Sequence, residues 1–171
     1  SYLASSSVLN KILNKDDKKI IINLLNKPSD DQKALKYQCN LAAAAIKNGI
    51  LNKNDKFYKE IITKLLENPS DDKDALIQQC NLAKAAVEQG IINDDKNHVI
   101  LNLLNKNFKD KDTLQAQFNL SLITIKKEFL TKQESNAVLA VLLAPINNGI
   151  LSKQCELVQD FIKNGILNKN D

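Results

Sequence analysis

The sequence predicts an all-α protein of about eight helices, stacked as antiparallel helical hairpins in a right-handed α-solenoid or α-α superhelix. Three observations lead there. Leu, Ile, Ala, Lys and Asn dominate the 171 residues, while Gly (4), Pro (3) and aromatics (5%) are scarce and Trp and Met are absent, a balance that favours helices. Apolar residues recur at helical spacing, as in Leu35, Cys39, Ala42 and Ile46. The chain also repeats itself: KPSDDQKALKYQCNLAAAAIKNGILNKND (27–55) matches NPSDDKDALIQQCNLAKAAVEQGIINDD (68–95), with Pro28 over Pro69, Cys39 over Cys80 and Gly49 over Gly90, all offset by 41. Repeats of this length are the mark of solenoids.

Four copies can be traced. The third is offset by 38, with Phe118 in the cysteine slot, Asn107 for the proline and Glu128 for the glycine; the fourth keeps Pro145, Cys155 and Gly165 but rewrites the loop between them. The expected organisation is a remnant helix over 1–11, repeats at 12–49, 50–90, 91–128 and 129–165, and the start of a further repeat at 166–171. The octapeptide NGILNKND appears at 48–55 and again at 164–171. It reads as the joint between one repeat and the next, so the chain is expected to be a fragment of a larger protein. Uncovered end units would expose apolar faces, which predicts self-association through the repeat ends.

Within each unit, helix A is expected to start after Asn14, Asn52, Asn93 or Thr131 as N-cap. Asp17, Asp55 and Glu134 stand three residues on, in capping-box position. Helix A carries an apolar stripe such as Ile20, Ile21, Leu24 and Leu25 and breaks at the proline. A Ser-Asp-Asp run then caps helix B, and a glycine followed by an apolar residue (Gly49, Gly90, Gly165) closes it in the Schellman arrangement.

The net charge is +4, and all 24 basic residues are lysine. The absence of the planar guanidinium fork argues against base-specific nucleic-acid recognition. No apolar run approaches the roughly 20 residues of a membrane span, and residues 1–10 lack the form of a signal peptide. A soluble protein of a reducing compartment is expected, with its three cysteines unpaired.

Candidate chemistry is sparse. The recurrence of Cys39, Cys80 and Cys155 beside Phe118 marks a core slot of helix B, not a metal or disulfide site. His98, the single histidine, has no partner at ligand spacing, and the aspartate pairs recur where helix dipoles favour anions. No catalytic residue, metal or cofactor is therefore assigned.

Two features carry the site candidates. Gln38 with Asn40, Gln79 with Asn81 and Gln117 with Asn119 form a recurrent Gln-x-Asn on helix B, where asparagine is a mediocre helix former. Either these amides satisfy backbone groups of neighbouring segments, or they form a row presented to an extended ligand. The second feature is an irregularity: helix A of repeat two is three residues longer than its peers near Phe57 and Tyr58. Tyr37, Phe57 and Tyr58 could clamp a planar, nucleotide-like ligand with Lys56 and Lys59 near its phosphate, or the rings could close a packing gap.

The paired-helix unit resembles the two-helix α-solenoids, nearest HEAT in length and longer than tetratricopeptide repeats. The tetratricopeptide Trp-Leu-Gly-Tyr pattern is missing, and proline lies between the helices, not inside the first. The Lys- and Asn-rich helices are also loosely similar to helical modules of secreted bacterial effectors, for which the compartment would be the host cytosol. The α-solenoid resemblance implies a noncatalytic protein-binding or scaffolding segment. The rival expectations are the small-molecule module built on Tyr37, Phe57 and Tyr58, and an RNA-binding repeat array.

Overall fold

A computed structural model describes residues 17–27, 31–54, 56–93, 97–107, 110–142 and 151–163. The expected remnant helix at 1–11, the cap Asn14, Pro28, the capping-box Asp55, Pro145, Gly165 and the closing octapeptide lie outside them. The described residues form eight helices and no strand: α1 (Lys18–Leu25), α2 (Gln32–Lys47), α3 (Lys56–Glu67), α4 (Lys73–Glu88), α5 (Asn97–Asn105), α6 (Lys111–Lys126), α7 (Lys132–Leu142) and α8 (Leu151–Lys163). Consecutive helices alternate between two rows, with α1, α3, α5 and α7 as the A row and α2, α4, α6 and α8 as the B row.

The rows differ in how closely they pack. Helices α2 and α4, and then α4 and α6, run against each other along much of their length, whereas α3, α5 and α7 touch more sparingly. The cause is side-chain volume: α2 buries Ala42, Ala43, Ala44 and Ala45, and α4 buries Ala75, Ala83, Ala85 and Ala86. Small residues let helix axes approach toward the short end of the roughly 8–10 Å packing range. The A helices insert Ile21, Leu25, Ile61, Ile62, Leu66, Ile100, Leu103 and Leu104 between the rows, all buried. One main core runs from α1 to α7. Beyond α6 the contact changes character, because Phe118 replaces the cysteine. It meets Phe161 of α8 edge-on at 4.9 Å, and with Leu139 the two rings form a second, smaller cluster.

Local chemistry sets most helix ends. An aspartate caps each of the first three B helices: Asp31, the second of the pair 30–31, accepts from the Lys33 N–H; Asp72, the second of the pair 71–72, accepts from Ala75; and Asp110, which follows a lysine, accepts from Asp112 and Thr113. Thr131 and Glu134 form the reciprocal capping box at the start of α7, with Glu134 accepting the Thr131 N–H at 2.8 Å and Thr131 Oγ1 accepting the Glu134 N–H at 3.2 Å. Two expected caps sit further out. Helices α3 and α5 begin four residues after Asn52 and Asn93, and Asn52 spends its side chain on the Asn54 N–H in a turn of its own.

Helix B ends in a Schellman motif in three successive units. Ile50, Ile91 and Phe129 donate to the carbonyls of Ala45, Ala86 and Thr124, and the residue before each donates to Ile46, Val87 and Ile125. Gly49 (φ 67°) and Gly90 (φ 64°) take the left-handed position, and in the third unit Glu128 takes it at φ 53°. A side chain there crowds its own carbonyl.

Two expected core positions are corrected. Cys155 is exposed, although Cys39, Cys80 and Phe118 are buried. The slot faces the following layer: the Cys80 thiol acts electrostatically on Cys39, and Phe118 meets α8. Cys155 stands on α8 with no further helix described in front of it. Ile20 is 52% exposed, while its counterparts Ile61 (4%) and Val99 (0%) are buried, because α1 is the first helix of the described A row. At the opposite end Leu151 and Ile162 of α8 are exposed.

Replacing Glu128 by glycine relieves the left-handed strain, partly offset by the greater freedom of glycine in the unfolded chain. The expected gain is about 0.5–1 kcal/mol, read as a higher urea midpoint at unchanged slope. Gly90→Ala moves the midpoint the other way, even though nothing lies within 4 Å of the added methyl.

Candidate interaction surface

The Gln-x-Asn pair divides into two different jobs. Helix A ends without a glycine cap, so its last carbonyls need donors from elsewhere. The glutamine supplies them. Gln38 Nε2 donates to the carbonyls of Leu24 at 2.9 Å and Lys27 at 2.8 Å; Gln79 to Leu65 at 2.8 Å and Asn68 at 2.9 Å; Gln117 to Leu103 at 2.9 Å and Lys106 at 2.7 Å. In the second unit the oxygen is used as well, since Gln79 Oε1 accepts the Ser70 N–H at 2.8 Å. All three glutamines are buried, Gln79 completely, and Gln154 of α8 is buried too.

The asparagines are left over. Asn40, Asn81 and Asn119 are half-buried at equivalent positions of α2, α4 and α6. Neither Asn40 nor Asn81 has a hydrogen-bond partner among the described residues, and Asn119 accepts from Gln115 of its own helix at 2.9 Å. Residues three and four away share a helix face; Ala43, Ala44, Ala85 and Ala116 among them are buried, and the others share the asparagines' intermediate exposure. Around Asn40 these are Lys36 and Tyr37; around Asn81, Ile77, Gln78 and Lys84; around Asn119, Gln115, Leu122 and Ile123. The B row thus presents a continuous outward stripe with amides along its middle and partly exposed apolar groups beside them.

Ion pairs between layers border one end of this stripe. Lys36 reaches Asp74 of the next B helix, and Lys73 reaches Asp110 at 2.9 Å and Asp112 at 3.2 Å. The hydrogen bond from Lys36 lowers the Asp74 pKa. Burial works to raise that of Asp110, but the hydrogen bonds it accepts from Lys73 and Thr113 outweigh this and hold it at about 2. At the other end, toward the helix C-termini, Lys47 and Lys126 are exposed with no ion pair among the described residues, while Glu88 faces Lys84 at 3.8 Å.

The aromatic candidates fall in different environments. Tyr58 is 1% exposed in the main core, with the Lys18 ammonium 4.5 Å from its ring centroid and its hydroxyl buried without a hydrogen-bond partner among the described residues. Phe57 is 45% exposed on the same helix, and Tyr37 is half-buried on α2. Lys59 lines a shallow groove with Glu60, Thr63 and Lys64 along α3; the side chain of Lys56 lies outside the described set. Helix α3 has twelve residues against nine in α5, the extra length that the sequence places near these rings. His98 is exposed on α5, and no group of three His, Cys, Asp or Glu that could hold a metal occurs among the described residues. No described helix is long and apolar enough to cross a membrane.

The recurrent Gln-x-Asn signals amides that satisfy backbone groups but does not say which of the two does so, because glutamine and asparagine carry the same amide and only their reach separates them. Comparison with family models, curated proteins and solved structures finds no match to this chain.

Gln79→Ala leaves two carbonyls and the Ser70 N–H without their partner, and should cost about 2–3 kcal/mol in urea unfolding. Asn81→Ala, two residues away, should be neutral or stabilising by about 0.5 kcal/mol, since alanine is the better helix former. Acid should also act through Asp110. Its folded pKa lies below the ordinary 3.8, so its stabilisation is complete above that value and is lost as pH falls from about 4 toward 2. Asp110→Asn, which retains a cap, should flatten that limb of the stability–pH curve.

Proposed function

We propose that this chain is a noncatalytic protein-binding segment that offers the outward stripe of its B helices to a partner. The observation that supports it best is the pair of half-exposed amides, Asn40 and Asn81, held on closely packed helices with no hydrogen-bond partner among the described residues. A rigid, stacked scaffold displaying solvent-facing amides beside apolar groups loses little entropy on association. Solenoids characteristically use such extended faces. The buried cysteines, unpaired and with raised thiol pKa values, suit a reducing compartment. The nucleotide-clamp reading draws less support, because a ring as buried as Tyr58 offers no face for stacking.

Panning a phage-displayed random peptide library on the purified chain tests the proposal. Binders should enrich and should lose the triple variant Tyr37→Glu, Ile77→Glu, Ile123→Glu while retaining Phe57→Glu on the A row. Failure to enrich, or equal retention by the triple variant in its folded form, removes the B stripe as the binding face.

A further inference from the structure

Where the B helices close and the chain turns back toward the A row, three successive layers line one open hollow of about 500 Å³. That is within the roughly 300–1,000 Å³ of small-ligand pockets. The hollow is preformed, because Schellman bonds pin each link: the Ile50 N–H donates to Ala45 at 2.9 Å, Ile91 to Ala86 at 2.8 Å and Phe129 to Thr124 at 2.8 Å. Its floor is apolar, since Val87, Ile92 and Phe129 are buried parts of the main core. Lys127 and Phe129, both in the lining, flank Glu128. Its left-handed backbone, at φ 53°, is strain of the kind that gathers at ligand sites.

The walls carry charges of both signs, drawn from different layers. Lys53 comes from the first link and Lys127 from the third; both are exposed, with no hydrogen bond or ion pair to another described residue. From the layer between them comes Glu88, the last residue of α4. Its ion pair with Lys84, at 3.8 Å, is the longest among the described residues, which leaves the carboxylate able to accept another donor. The C-terminus of α4 adds negative partial charge beside it. A simple anion would therefore meet Glu88, and a simple cation would meet two lysines. A molecule that carries both charges satisfies all three groups.

We propose that this hollow binds a small zwitterion with an apolar body, an apolar amino acid or dipeptide. The ligand carboxylate is held by Lys53 and Lys127, its ammonium by Glu88, and its side chain lies on Val87, Ile92 and Phe129. The site is distinct from the asparagine stripe and does not depend on the protein-binding reading.

Titrating the isotopically labelled chain with L-leucine and with L-leucyl-L-leucine, followed by two-dimensional amide NMR, tests this. Saturable shifts should be confined to Lys53 and to the segments 87–93 and 127–129, and the tighter ligand identifies the amino acid or the dipeptide. The same ligand amidated at its carboxyl group, or with its amino group replaced by hydrogen, should bind about tenfold more weakly. The glycine counterpart should lose a similar factor for want of an apolar body. Lys53→Gln with Lys127→Gln should erase the preference for the free carboxylate, and Glu88→Gln the preference for the amine. Each variant should keep its urea midpoint nearly unchanged, which excludes unfolding as the cause.

Absence of saturable shifts at these amides up to the solubility limit, or shifts scattered over the surface, overturns the proposal. So does equal binding of the charged and blocked forms, or a preference that survives in the variants. Tighter binding of the deaminated acid than of its parent would make this a plain carboxylate site and overturns the zwitterion reading as well.

Discussion

The interaction on which the rest of the structure depends is the reach of one glutamine per hairpin back to the end of the preceding helix. Helix A stops without a glycine to fold its terminal carbonyls inward, and these groups would face the apolar space between the rows. Gln38, Gln79 and Gln117 meet them from the middle of helix B, eleven and fourteen residues further along. The bond does two things at once. It removes the desolvation penalty of the helix end, and it fixes where along helix B that end docks, so each hairpin closes at one register.

Once the hairpin is fixed, side-chain volume decides how hairpins stack. Alanines bring the B helices together, the larger residues of the A helices fill the space behind them, and ion pairs such as Lys36 with Asp74 join successive helix starts. The same logic explains where the pattern changes. Phe118, in place of cysteine, makes the contact of α6 with α8 an aromatic one, with its own small core. Left-handed Glu128 shows that the closing motif persists even where glycine has been lost.

Much of this was legible before any coordinates. Helical spacing, the caps Asp31 and Asp72, the Thr131–Glu134 box and the closures at Gly49 and Gly90 each follow from local rules acting over four to six residues, and each appears as read. What was not legible depends on neighbours. Ile20 and Cys155 occupy positions whose counterparts are buried, yet exposure is decided by whether another layer lies against them, which a repeat pattern does not state. Asn52 looked like an N-cap and instead serves its own turn. The Gln-x-Asn pair could be read either as support or as display, and the fold assigns the glutamines to support while Asn40 and Asn81 bond to none of the described residues and Asn119 bonds only to Gln115 of its own helix.

The three thiols give this architecture a built-in gauge of its own opening. Burial pushes Cys80 up to about 12 and raises Cys39 as well, so at neutral pH neither supplies thiolate to an alkylating reagent while the layers are closed. Cys155 stands in solvent throughout. The slow fraction of labelling would thus time the parting of the layers that cover Cys39 and Cys80 against a fast internal standard within the same molecule.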